Sequence, residues 1–211
     1  METNTNTDTN SVQINEEDVI QMNEAYKKQR LFELKNIPNL YPHNFVLTKN
    51  LSSYRKTYDY LKNDDILFDV VECLAGRIQT IRISGSKLYF AVIESDGILL
   101  QILANAKFYN SHETFVHDKK ILRRGDIVGV TGHPTRSTKG ELSILPQNVT
   151  ILAPCLYSVP KNTALQCLVD NGLRFNQRYL DLIVHSENRE IFKTRAKVMK
   201  YIRVVNPYKS I

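Results

Sequence analysis

The spacing of apolar residues divides the chain into a helical part, a strand-rich part and a second helical part. Residues 16–36 carry Val19, Ile20, Tyr26, Leu31 and Leu34 among charged residues. Glu16, Glu17 and Asp18 stand at the start, where acids suit the positive end of a helix. This predicts an amphipathic helix, ended by Pro38 and Pro42. A second short helix is predicted over 51–62. From Asp69 the pattern changes to strands: 69–82, 87–94 and 98–104, then a helix over 111–120, then strands 126–133 and 141–152. Ser84-Gly85-Ser86 and Ser95-Asp96-Gly97 supply the turns. A last helix with Ile191, Phe192, Met199 and Ile202 on one stripe is predicted over 187–204.

Three strands, a helix and two strands within about 85 residues match the order of an OB-fold, a five-stranded Greek-key barrel. The expected fold class is therefore mainly β with flanking helices: the barrel, an N-terminal helix and a C-terminal helical stub. The boundaries expected are a disordered Asn/Thr-rich tail at 1–15, a helical extension at 16–66, the barrel at 67–153, a linker at 154–185 and a further unit at 186–211.

Strand alternation sorts each strand into an inner and an outer set. Leu74 and Ile78 oppose Arg77 and Gln79; Tyr89, Ala91 and Ile93 oppose Leu88, Phe90 and Val92. Ile98, Leu100 and Ile102 oppose Leu99, Gln101 and Leu103, and Leu142 and Ile144 oppose Glu141 and Ser143. The outer sets gather Arg77, Gln79, Phe90, Gln101, Glu141 and Ser143. Phe90 offers a face on which a single-stranded base can stack. Gln101 and Arg77 can donate to the uracil carbonyls, and Glu141 can accept from its N3–H. Packing of Phe90 in a secondary core, with the polar residues solvated, fits the same pattern.

Composition adds limits. The 211 residues carry 28 Lys+Arg against 22 Asp+Glu, a net charge of +6. Residues 154–211 hold ten basic and four acidic residues, so the excess lies near the end. A basic balance permits a nucleic-acid partner without establishing one. No apolar run is long enough to span a bilayer, so no membrane partner is expected. There is no basic residue before Lys27, which argues against a transit peptide and for a cytoplasmic protein. Cys73, Cys155 and Cys167 form no CxxC pair, so neither a zinc site nor a disulfide framework is expected. His112-Glu113 and His117 have the spacing HExxxH, which turns two helical imidazoles about 140° apart and does not suit a metal.

Seven ordered stretches then resemble class II lysyl-tRNA synthetases. They are Tyr41-Pro42-His43, Ala75-Gly76-Arg77-Ile78, Leu100 to Asn105, Arg123 to Val130, Gly140 to Ile144, Pro154-Cys155-Leu156 and Arg178 to Ile183. The resemblance implies an anticodon-binding domain in which Phe90 stacks on the middle base and Gln101 and Glu141 identify it as U. Arg77 matches a strand-one arginine of the same surface. The implied partner is the anticodon loop of lysine tRNA. The family commonly has Asp at the position of Val92 and a charged residue at Leu99; both are apolar here.

The resemblance also implies an enzyme that uses ATP and Mg²⁺ to ligate lysine to tRNA. By this resemblance residues 186–211 are the truncated start of its catalytic domain: motif 1 is only begun here, and motifs 2 and 3 are not found in the sequence. The expectation is an anticodon-binding fragment, inactive alone, with no cofactor and no catalytic residue of its own. Its 187–204 stripe would meet another copy or a synthetase subunit. The alternatives are a non-catalytic protein-interaction module, or a piece of a gene product that continues into the whole enzyme.

Overall fold

The computed structural model describes residues 16–35, 37–159 and 175–205; the expected tail at 1–15 lies outside them, as does Cys167. In chain order the elements are α1 (Glu16–Leu34), α2 (Leu51–Tyr58), β1 (Glu72–Ser84), β2 (Leu88–Ser95) and β3 (Ile98–Asn105). They continue with α3 (His112–Ile121), β4 (Ile127–Arg136), β5 (Leu142–Ala153), α4 (Arg178–Val184) and α5 (Ser186–Val205). The five strands close into a barrel in the order β1-β2-β3-β5-β4. All neighbours are antiparallel except β3 and β5, which meet in parallel at two residue pairs, Gln101 with Ser143 and Ile102 with Ile144. This is the OB-fold expected.

Alternation drives the closure. Leu74, Ile78, Tyr89, Ala91, Ile93, Leu100, Ile102 and Ile144 all point into one continuous core. The β2–β3 hairpin turns on Asp96 and Gly97, both with positive φ, the pairing a tight turn between twisted strands requires. At Gly132, where the β4–β5 register shifts, a Cβ would lie 2.1 Å from the Leu145 carbonyl oxygen, so only glycine lets the backbones approach. Helix α3, capped by the Ser111 side chain, covers the barrel with the fully buried Phe115. Its ring lies 5.5 Å from Tyr89 and 5.2 Å from Tyr109.

Helix α1 differs from the amphipathic element expected. Leu34 is buried, but Leu31 and Phe32 are exposed. What docks the helix is Arg30, which is buried and donates to the Ile121 carbonyl (2.6 Å) and to Asp126 (2.6 Å). Asp126, itself fully buried, also accepts from the backbone N–H groups of Arg123 (2.8 Å) and Cys155 (2.7 Å). Burial pushes its carboxyl up, and these donors oppose that rise. Helix α2 is fixed differently. Asn50 caps it by accepting from the Ser53 N–H, and its Tyr58, with Thr48 and Lys49, hydrogen-bonds Glu72 of β1. Burial alone would raise the Glu72 carboxyl, but the three donors hold it below the usual carboxylate range.

The stretch 154–185, expected as a linker, contains α4. It is organised by the buried Asp181, which accepts from Arg178, His185 and Asn188. Helix α5 follows; no residue of it is buried, and the Ile191, Phe192, Met199 and Ile202 stripe is exposed.

Asp118 of α3 gives a pH signature. Its side chain is 13% exposed, and burial pushes the carboxyl up to about 6, with His117 Nδ1 3.5 Å away pulling the other way. A carboxyl raised on folding favours the folded state only while protonated. Its contribution is therefore present below about pH 4 and lost as pH rises through about 6. Asp118→Asn is expected to stabilise the fold by up to about 3 kcal/mol near neutral pH and by little near pH 3.5. Thermal melts at the two pH values check this; equal shifts at both would refute it.

Candidate nucleic-acid interface

One outer face of β1, β2, β3 and β5 forms a groove of about 660 Å³. Two cross-strand rows build its floor. In one, Arg82 pairs with Phe90, and Phe90 with Leu103. In the next, Thr80 pairs with Val92, Val92 with Gln101, and Gln101 with Ser143. Phe90 is half-buried, its ring in the groove, with the Arg82 guanidinium 5.5 Å from the ring centroid. That is a cation–π arrangement on the face a base would use.

Beside it the polar groups are fixed in sequence. The Gln101 amide donates through Nε2 to Glu141 Oε2 (2.8 Å), and its Oε1 accepts from Ser143 Oγ (2.9 Å). Ser143 is fully buried, and its own carbonyl accepts from the Tyr54 hydroxyl of α2 (2.8 Å). These partners set the amide's orientation: Nε2 lies toward Glu141 and keeps a second N–H to offer. Glu141 is held by the β4–β5 turn. Its carbonyl accepts from the Ser137 N–H (2.9 Å), and Gly140 adopts a φ of 83°, in the left-handed region that favours glycine. Lys139 on the same turn and Arg136 also line the groove.

Of the four residues expected to form the site, the structure brings together Phe90, Gln101 and Glu141. It does not bring Arg77 to them. Arg77 pairs with Glu94 at the far end of β2 and donates to the Gly125 carbonyl (2.8 Å). With Gln79 it lines a separate hollow of about 280 Å³ against Leu182, Ile183 and Arg189. There Gln79 donates to Glu94 (2.7 Å), and Arg189 bridges Glu94 to the carbonyls of Leu182 and Ile183. Arg77 is kept apart by its place along the strand, since Glu94 lies four residues from Phe90 on β2; a bulge in β1 then decides which later residues face the groove. Pairing passes from Ile78–Ile93 directly to Thr80–Val92, so Gln79 is extra and the parity of the strand reverses. Beyond it Ile81 packs toward the core, while Thr80 and Arg82 face the groove. Arg82 is thus the arginine that strict alternation missed.

The comparisons with known proteins bear on this face. Residues 73–152 match the tRNA anti-codon family, described as an OB-fold nucleic acid binding domain. The chain is 40% identical over 185 residues to the lysine–tRNA ligase cla4 of Cladosporium cladosporioides, covering 84% of this chain and 30% of that protein. It is 31% identical over 192 residues to the probable cytoplasmic lysine–tRNA ligase of Encephalitozoon cuniculi, with 91% and 36% covered. It is 33% identical over 187 residues to the lysine–tRNA ligase of Thermotoga maritima, with 86% and 36% covered. The barrel thus matches a tRNA anti-codon OB-fold domain, and the chain is similar to lysine–tRNA ligases over most of its length. It spans about a third of the length of these relatives.

In this domain the groove presents two aromatic residues, Phe90 and Phe108, one amide–carboxylate pair and three basic side chains, Arg82, Arg136 and Lys139. Val92 leaves the floor apolar between Phe90 and Gln101, and Leu99 lies outside the groove, exposed. Among the described residues no His, Cys, Asp or Glu cluster could hold a metal ion, and no helix is long and apolar enough to cross a membrane.

Proposed function

We propose that the groove receives the anticodon loop of lysine tRNA and reads its middle U. The observation that carries this reading is the Gln101–Glu141 hydrogen bond beside the Phe90 ring, with Ser143 fixing the amide. A uracil stacked on Phe90 meets the remaining Gln101 N–H as a donor to a ring carbonyl and Glu141 as an acceptor for N3–H. Cytosine presents an amine where uracil presents O4 and lacks the N3–H, so the same pair disfavours it. Arg82 leaves the Phe90 face to admit the base and stays near enough for a phosphate. The ligase activity named for the relatives, with the ATP and Mg²⁺ implied for it, is assigned no residue of this barrel.

The test uses a lysine-anticodon stem-loop and one with the middle U changed to C. The protein is expected to prefer U by roughly 1–3 kcal/mol, the scale of a lost base-edge contact. Phe90→Ala is expected to weaken both loops by roughly 1–3 kcal/mol while the melting temperature holds, and Gln101→Ala to erase the preference. Equal affinity of the unaltered protein for the two loops would defeat the reading. A second reading, a protein-interaction module, rests on the exposed Ile191, Phe192, Met199 and Ile202 stripe of α5. Light scattering of the protein beside an Ile191→Ser/Met199→Ser variant tests it; a monomer in both removes self-association.

A further inference from the structure

The groove does not end at Phe90. Phe108, in the turn after β3, lines it as well, and its ring lies 5.8 Å from that of Phe68. Phe68 is 54% exposed, so one face of its ring is open to a ligand. It is held in place from below. The His133 ring meets it edge-on at 5.5 Å, and His133 Nδ1–H donates to the Val70 carbonyl (2.8 Å), which fixes the imidazole. The Lys107 ammonium lies 5.5 Å from the Phe108 centroid, beside the same rings. An exposed ring beside a half-buried one, with a cation over the second and continuous with a groove that already offers a stacking face, has the composition of a single-strand binding track.

We propose that Phe108 and Phe68 form a second stacking platform, which takes the base of a nucleotide adjoining the one on Phe90. Lys107 meets the phosphate between the two. The inference rests on the reading of the groove as an anticodon-loop site. No base edge is read here: the platform offers π-faces and one cation, with no amide or carboxylate among its parts. It adds affinity without changing the choice between U and C.

A Phe68→Ala/Phe108→Leu variant separates this from folding, since the exposed ring is removed and the half-buried one keeps its apolar bulk. Binding is measured with the lysine-anticodon stem-loop, its U-to-C counterpart, and a loop whose two bases flanking the middle U are abasic. The variant is expected to bind the intact loop roughly tenfold more weakly than the unaltered protein. It should match the unaltered protein on the abasic loop and keep the same U-to-C ratio. Unchanged affinity for the intact loop, or an equal loss on the abasic loop, would overturn the platform while leaving the middle-base reading intact. Failure of the unaltered protein to distinguish U from C would instead remove that reading, and the platform with it.

Discussion

Asp126→Asn is expected to lower stability by about 3–5 kcal/mol, the scale for removing one partner of a buried ion pair. Asp126 and Arg30 are 0% and 1% exposed, so the guanidinium left behind has no water to turn to. The loss exceeds that of one contact, because the carboxylate gathers three parts of the chain: α1 through Arg30, the turn before β4 through the Arg123 N–H, and the segment after β5 through the Cys155 N–H. An amide there must turn its NH₂ toward at least one of these donors. Urea unfolding measures the cost, and limited proteolysis within α1 reports whether the helix has come off the barrel. Replacing Arg30 and Asp126 together by apolar residues should cost less than Asp126→Asn alone. A loss under about 1 kcal/mol for the single change would show that the pair does not hold α1.

Phe115→Ala is expected to cost about 3–5 kcal/mol of folding stability, the range for deleting a buried phenylalanine ring. Its ring fills the space between Tyr89 and Tyr109, two tyrosines whose hydroxyls lie 2.5 Å apart and whose pKa values burial raises. The cavity would open against those hydroxyls and admit water to them. Phe90→Ala is the contrasting case: the same truncation on the outer face, with little change in melting temperature. Denaturation of the two variants side by side decides between them. Equal large losses would return Phe90 to a structural role.

The barrel was readable because each strand repeats a period of two, and that period alone separated Phe90 and Gln101 from Tyr89 and Ile102. The same rule failed on β1, where one extra residue, Gln79, reverses the alternation and puts Arg82 in the groove and Ile81 against the core. A bulge is a property of pairing with the neighbouring strand, and nothing in the run Arg77-Ile78-Gln79-Thr80 marks it. The start of α1 was legible from its acids, but its docking was not. A buried Arg30 meets an Asp almost a hundred positions away, and such a pair has no local pattern. Helix α4 is only seven residues long and is organised by Asp181, so its periodicity was too short to distinguish it from a connector. The roles of Ser143 and Tyr54 behind Gln101 were hidden for a similar reason: one is a small polar residue on an outer face, the other an aromatic on a helix one would assign to the core.

The parallel seam between β3 and β5 has a kinetic consequence. It closes the barrel with two residue pairs, whereas β4 and β5 share ten. Opening free energies follow such differences, so this seam is where the barrel breathes first. Gln101 and Ser143 lie on its two lips, with the Tyr54 hydroxyl latching one of them from behind. On the proposed reading, a nucleotide held by Gln101 on one lip and Glu141 on the other acts as a clasp. It binds the closed seam and not the open one, so it draws the barrel shut by mass action. Amide exchange at Ile102 and Ile144 would slow on binding, while the long β4–β5 ladder would scarcely change.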